Sequence, residues 1–152
     1  MPTRRLLTAQ KFIAVIGTLD PFRPASLSAR LPASLDKQGF LQHAGNLGAI
    51  LAGFPVTAKE YIESDEATNR VTVWATSKAV FRDDAKDGDG EDKDWEFSGE
   101  YVLLLTMDET GERITRIVEF LDSKATADVL LGLMERARGN VESKGKRGRV
   151  SN

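Results

Sequence analysis

Three ionisable side chains of this sequence lie where proton transfer could take place: His43, Glu60 and Asp122. An imidazole titrates near neutral pH, so it can both accept and donate a proton. A carboxyl on an apolar surface loses hydration and its pKa rises, which lets it act as an acid or a base near pH 7. Together, these groups could remove a proton next to a carbonyl and return it elsewhere.

His43 is the single histidine of the chain. It follows Phe40 by three residues and precedes Leu47 by four, a spacing that places all three on one face of a helix. On a buried face, the imidazole would shuttle a proton or donate to a substrate oxygen. The alternative is a neutral core histidine bonded to a backbone carbonyl.

Glu60 lies in an alternating segment, where strand parity places it with Val56, Ala58 and Ile62. We therefore predict that its carboxyl faces the apolar side of a sheet, where desolvation makes it a candidate acid or base. The alternative is a short first strand whose polar side chains meet solvent.

Asp122 ends the last alternating run and continues the face of Val118 and Phe120. It is a candidate partner carboxyl for Glu60, and the sequence does not decide which of the two is the acid. The alternative role is the N-cap of the next helix, because Asp122 immediately precedes an apolar helical run.

Three aromatic side chains are predicted to contact the substrate: Trp74, Tyr101 and Phe120. Trp74 and Tyr101 each bring a large apolar body and one hydrogen-bond donor. Their alternative role is packing between a sheet and a helix.

Hydrophobic periodicity predicts the elements that must position these residues. Apolar residues three and four apart indicate helices at residues 3–19, 21–27 and 37–52, with a connector at 28–35. After Pro55 the period becomes two and predicts an antiparallel meander of strands at 56–63, 70–82, 95–107 and 113–122. Residues 123–137 return to helix.

Two of these strands approach about twelve residues, long enough that they must coil or bend. Gly99 lies inside one of them, where glycine commonly marks a bulge or a sharp bend. The order of elements predicts an α+β fold, in which a strongly curved antiparallel sheet wraps over N-terminal helices and a C-terminal helix follows.

The composition of the 152-residue chain excludes several classes of site. Without cysteine there is no thiolate ligand, nucleophile or disulfide, and one histidine cannot build a multi-histidine metal site. No glycine-rich loop opens a helix to cradle a phosphate. A net charge of -2 gives no broad basic surface for nucleic acid, and no apolar run is long enough to cross a bilayer. We therefore expect a cytoplasmic protein with no metal, cofactor, nucleic-acid or membrane partner.

The length allows one domain, predicted at residues 1–138. Residues 139–152 carry four cationic side chains against one glutamate and have little to bury, so we expect a disordered basic tail. Residues 83–94 hold seven acids and predict a solvated hairpin loop. A calcium loop fails on register, because Asp92 stands where the turn needs glycine.

Three stretches, read with this order of elements, carry a family resemblance: Phe54-Pro55-Val56-Thr57, Thr72-Val73-Trp74-Ala75-Thr76 and Val118-Glu119-Phe120-Leu121-Asp122. They resemble small fungal proteins of the SnoaL-like branch of the nuclear transport factor 2-like superfamily. The resemblance covers residues 5–138 and implies a cone-shaped α+β barrel around a pocket. It also implies that Asp122 occupies the catalytic acid position near the end of the last strand.

The resemblance implies a cofactor-free isomerase or cyclase of secondary metabolism, similar to meroterpenoid isomerases and polyketide cyclases. The expected substrate is a small hydrophobic polyketide or terpenoid with an enolisable carbonyl. Proteins of this fold also include non-catalytic ligand-binding or dimerisation modules, dehydratases and epoxide hydrolases, so the fold alone does not choose among them. A homodimer through the sheets is also implied, which the exposed-face residues Trp74, Val80, Val102 and Leu104 could support.

Overall fold

The computed structural model describes residues 1–16, 36–65, 67–88 and 92–149, without the side chains of 37, 40, 41, 43, 44, 92 and 147–149. Its helices are α1 (Arg4–Ile16), α2 (Lys37–Leu47), α3 (Ser123–Ala125) and α4 (Leu131–Arg149). Its strands are β1 (Leu51–Gly53), β2 (Val56–Glu63), β3 (Arg70–Phe81), β4 (Phe97–Met107) and β5 (Ile114–Leu121). A π-helical turn, Thr126–Leu130, links α3 to α4. The predicted α+β class is confirmed.

The five strands form a sheet in the order β1-β3-β4-β5, and β2 also pairs with β3. Both β1 and β2 run antiparallel to β3, as β4 does to β5. The four strands predicted from the period of two are present within two residues of their expected bounds. The predicted helices and connector between residues 17 and 35 lie outside the described residues.

The strand β1 corrects the predicted helix at 37–52, because α2 ends at Leu47 and the chain then becomes extended. Leu51 is buried and lies opposite Phe81 in the β1–β3 pairing. The three-residue strand β1 therefore takes the place of the last turn of the predicted helix. Glycines at 39, 45 and 48 lower the helix propensity of this segment, so a buried strand contact decides its conformation.

The described residues separate into two compact units, and the first contains α1, β2, most of β3, β4 and β5. Its core consists of two residues of α1, three of β3 and three of β4: Ala9, Ile13, Val71, Val73, Ala75, Leu103, Leu105 and Met107. The expected packing of the first helix against the sheet is therefore confirmed. Each buried strand residue is two positions from the next, as a sheet with one face on a core requires.

The second unit contains α2, β1, the end of β3 and α4. In it, the Phe81 and Trp95 rings meet edge to face at 5.1 Å, and Arg136 of α4 lies over the Trp95 ring at 4.6 Å. Arg136 also pairs with Asp87 at 2.6 Å. This ion pair lowers the pKa of Asp87.

Helix α4 continues through residues 139–149, for which the composition predicts a disordered tail. Two of its side chains bind the segment that contains the acidic residues. The Asn140 amide donates to the carbonyl of Ala85, and the Lys144 ammonium donates to the carbonyls of Asp84 and Lys86. These contacts hold a segment that has little apolar surface to bury.

No helix in the described ranges is long and apolar enough to cross a membrane.

The turn between β4 and β5 is held by Asp108 and Gly111. The Asp108 carboxylate accepts hydrogen bonds from the Thr110 hydroxyl and the backbone of Glu112, and the first of these contributes most to lowering its pKa. Gly111 has a φ of 73°, and a Cβ added there would lie 2.9 Å from Cγ of Arg5. Both observations require glycine at this position.

Gly111→Ala should lower the free energy of unfolding by about 1 to 2 kcal/mol, because alanine is strained at positive φ. Gly139→Ala, in α4, is the matched control: its added Cβ meets no atom within 4 Å. The free energy of unfolding of the control variant should rise by up to about 1 kcal/mol, because alanine has a higher helix propensity than glycine. Urea unfolding followed by circular dichroism measures both, and equal effects of the two changes would contradict this account of the turn.

Candidate functional site

Register divides the sheet of the first unit into two faces, because residues directly opposite each other in an antiparallel pair share a face. The inner face packs on the core and carries Val73, Ala75 and Ser77 of β3 with Tyr101, Leu103 and Leu105 of β4. The outer face carries the alternate residues, among them Trp74, Val102 and Leu104. Every candidate residue on these strands can be assigned to one of the two.

Glu60 lies on the outer face, so its predicted place beside Val56 and Ala58 is wrong. Val56 and Ala58 pair with Ser77 and Ala75 of the inner face, whereas Glu60 pairs with Trp74. The register shifts between Ala58 and Glu60, which leaves one extra residue on β2. Such a β-bulge moves every later residue of the strand to the opposite face.

Asp122 also belongs to the outer side, because its strand parity follows that of Phe120, which pairs with outer-face Val102. The side chain of Asp122 caps α3, its Oδ1 accepting from the backbone N–H of Ala125 at 3.0 Å. The N-cap role weighed in the sequence analysis is therefore confirmed. A catalytic role of Asp122 stays a prediction.

His43 lies on α2, as predicted, but its side chain is outside the described residues. The structure therefore assigns neither a face nor a partner to its imidazole. Its role in proton transfer stays a prediction.

Four of the predicted site residues line one open pocket, which we call the outer pocket: Trp74, Tyr101, Phe120 and Asp122. Glu100, Val102 and Leu121 complete the lining, and the volume is about 380 Å³. Trp74 is 40% exposed and Phe120 is 60% exposed. The outer pocket thus brings together three aromatic rings and two carboxyls, and the rings of Trp74 and Phe120 remain exposed to solvent.

The carboxylate of Glu100 is the most strongly held polar group of the outer pocket. Lys59 donates to its Oε1 at 2.9 Å and the Trp74 indole N–H donates to the same oxygen at 2.7 Å. These hydrogen bonds, that of Lys59 first, lower the pKa of Glu100. A carboxylate stabilised in its ionised form is a poor general base.

The inner face carries a polar group that the sequence analysis did not select: Ser77, Tyr101 and Glu119. Ser77 is 2% exposed and donates to the Tyr101 hydroxyl oxygen at 3.0 Å. Glu119 pairs with buried Leu103, so it faces the same side, diagonally across from Tyr101. Diagonal neighbours of this kind have Cα atoms about 7 to 8 Å apart, within reach of long side chains.

Burial sets the electrostatics of this inner polar group. Desolvation raises the pKa of the Tyr101 phenol, and the Glu119 carboxylate raises it further, while the bond from Ser77 acts in the opposite direction. Desolvation by the surrounding atoms also raises the pKa of Glu119, although the residue is exposed to solvent. The result is a phenol that keeps its proton beside a carboxyl shifted toward neutral pH.

Gly99 allows Tyr101 to adopt this position. The Tyr101 ring folds back along β4, so that a Cβ added at Gly99 would clash with the phenol oxygen and lie 2.8 Å from two ring carbons. A side chain at residue 99 would therefore displace the ring. The glycine read from the sequence as a bend in fact makes room for an aromatic side chain.

One signal for this site was present in the sequence. Glu119 alternates with Ile117 and Leu121, and Ser77 interrupts an apolar alternation that includes Val73 and Ala75. Both are polar residues on apolar faces. What the sequence did not show was that the bulge at Lys59 excludes Glu60 from this face.

Neither a protein-family model nor a curated protein sequence matches the chain. Among solved structures, the chain is similar to the BvnE pinacolase from Penicillium brevicompactum, with a TM-score of 0.61. The two are 18% identical, and the match covers 90% of this chain and 92% of the other. This likeness shows that the two chains share a fold.

Asp122→Ala should lower the free energy of unfolding by about 1 kcal/mol, because the first turn of α3 loses its cap. Asp122→Ser should retain most of the stability, since a serine hydroxyl can accept from the same backbone N–H. Thermal and urea unfolding of the two variants measure the difference. A serine variant as unstable as the alanine variant would contradict the capping role.

Glu119→Gln should change the pH dependence of stability. The raised pKa means that the folded chain binds the Glu119 proton more tightly than the unfolded chain, so this stabilisation is complete below the unfolded pKa of about 4.3. It is lost as the pH rises through the higher folded value. The glutamine variant lacks this loss, so its stability relative to the native protein should increase across that window.

Glu100→Gln serves as a control, because the native Glu100 carboxylate changes stability with pH in the opposite direction to Glu119. The lowered pKa of Glu100 gives stability that is present above the unfolded pKa and is lost on acidification. Melting temperatures across the acid range therefore separate the two glutamates. Parallel pH profiles for the two variants would contradict the electrostatics of the inner polar group.

Proposed function

We propose that this protein is a cofactor-independent enzyme of the SnoaL-like type, which transfers a proton on a small hydrophobic carbonyl compound. The Glu119 carboxyl moves the proton, and the Tyr101 hydroxyl binds the carbonyl oxygen. An isomerase or cyclase acting on a polyketide or terpenoid intermediate is the activity that fits this chemistry. The observation that carries the proposal is the pair of inner-face acids, buried Tyr101 and exposed Glu119, whose pKa values are both raised by desolvation.

The Tyr101 hydroxyl supports the oxygen-binding role in this proposal. Ser77 donates into its oxygen, so the phenol proton is directed to a different acceptor. A phenol whose pKa is raised stays protonated at neutral pH and can donate to an enolate oxygen. Ser77 is buried and fixes the phenol in place, which lowers the reorganisation that binding requires.

Glu119 supports the proton-transfer role. Its carboxylate would remove a proton from the carbon next to the carbonyl, the electron pair would move to the oxygen held by Tyr101, and the same proton would return to another carbon. A raised pKa brings a carboxyl closer to the operating pH, where it both takes and releases protons efficiently. Partial contact with solvent leaves Glu119 accessible to a substrate.

The structural neighbour supports a rearrangement of this general kind, since it is named a pinacolase. A pinacol-type rearrangement also requires one group that donates a proton and one that accepts a proton, and needs no redox partner. His43 remains a candidate second proton carrier in this proposal. Glu60 and Asp122 lie toward the outer face and take no part in it.

The proposal is tested with 2-tetralone, a hydrophobic ketone, and with 2-naphthol, a stable mimic of its enol. The native protein should accelerate exchange of the ketone's α-hydrogens in deuterated water, followed by NMR. Glu119→Gln should reduce this exchange by about 100-fold or more while 2-naphthol still binds. Tyr101→Phe should weaken 2-naphthol binding, because the donor to its oxygen is removed.

Glu60→Gln is the matched control, since it makes the same chemical change on the outer face. Its exchange rate should equal that of the native protein. A native rate in Glu119→Gln, an equal loss in Glu60→Gln, or a native protein that neither binds 2-naphthol nor promotes exchange would contradict the proposal.

A further inference from the structure

An ammonium group of the chain itself, that of Lys59, contacts two of the residues that line the outer pocket, Trp74 and Glu100. The Nζ atom of Lys59 lies 4.4 Å from the centroid of the Trp74 ring and 2.9 Å from the carboxylate of Glu100. An aromatic face and a carboxylate around one cation are the two elements of ammonium recognition. Lys59 is partly exposed and lies at the bulge of β2, so its flexible side chain can move away from Trp74 and Glu100.

The pocket has carboxyl groups besides the one that binds Lys59. Two carboxyls, Glu100 and Asp122, belong to the lining, and a third, Glu60, pairs directly with Trp74 on the same face. Only one oxygen of Asp122 is needed for the helix cap. A second cation therefore has carboxylate partners available next to the aromatic rings.

The volume of the pocket suits a small ligand. Its volume of about 380 Å³ is in the range of small-molecule sites. Phe120 and Val102 provide apolar walls beside the charged groups, and Phe120 is largely exposed. A small molecule with an apolar body and one ammonium group complements both features.

We propose that the outer pocket binds a small organic ammonium compound, whose cation competes with Lys59 for Trp74 and Glu100. The pocket shares Tyr101 with the inner polar group, but cation binding does not depend on the proposed catalysis. The ligand's apolar body packs against Phe120 and Val102. Its ammonium group takes the position over the Trp74 ring and is neutralised by Glu100 and Asp122.

The probe is benzylammonium, and benzyl alcohol is its neutral control of nearly equal shape. The indole N–H of Trp74 donates to Glu100, so its NMR resonance reports on the site directly. The Trp74→Phe variant identifies this resonance among the two tryptophans of the chain. Benzylammonium should shift it in a saturable manner, with a dissociation constant of about 1 mM, and benzyl alcohol should not.

Two charge variants test the competition with Lys59. Lys59→Met keeps the apolar stem and removes the competing cation, so binding should tighten by about threefold or more. Glu100→Gln removes the principal counterion and should weaken binding by about threefold or more. Glu109→Gln, in the turn between β4 and β5, makes the same change away from the pocket and should leave binding unaltered.

Several results would overturn the proposal. Benzyl alcohol could shift the resonance as benzylammonium does, which would indicate an apolar groove without cation recognition. Lys59→Met could bind no more tightly than the native protein. Sedimentation could show that the protein is a dimer, and benzylammonium could leave the Trp74 resonance of that dimer unshifted. The outer pocket would then be part of a contact between two copies.

Discussion

The alternation of side chains along β2, β3, β4 and β5 is the constraint on which the chemistry of the first unit depends. Each residue of a strand is committed to one face, and the core on the inner face fixes which one. A single extra residue at Lys59 reverses that assignment for the rest of β2. The same bulge places Lys59 and Glu60 next to Trp74 and keeps the Glu60 carboxyl away from the core.

The two faces therefore present carboxyls in opposite electrostatic states. On the inner face, loss of water raises the pKa of Glu119. On the outer face, hydrogen bonds from Lys59 and Trp74 lower the pKa of Glu100. The first arrangement suits exchange of a proton and the second suits binding of a cation, so neighbouring strands of one sheet can support two kinds of chemistry.

Much of the fold could be predicted from the sequence, because the period of two in β3 and β4 directly reflects one buried face. The site could be predicted only in part. The sequence has no marker for the bulge at Lys59, which depends on pairing with β3, and so Glu60 was assigned to the wrong face. The hydrogen bonds that Asn140 and Lys144 of α4 make to the backbone of Ala85 and Asp84 likewise depend on tertiary structure, which propensity does not encode.

The central claim is that partial desolvation on the inner face raises the pKa of Glu119. The most direct measurement is an NMR titration of the side-chain carboxyl carbons of Glu119 and Glu100 in the native protein. The account predicts a pKa above the usual value of about 4.3 for Glu119 and a value below it for Glu100. A Glu119 that titrates at or below Glu100 would contradict it.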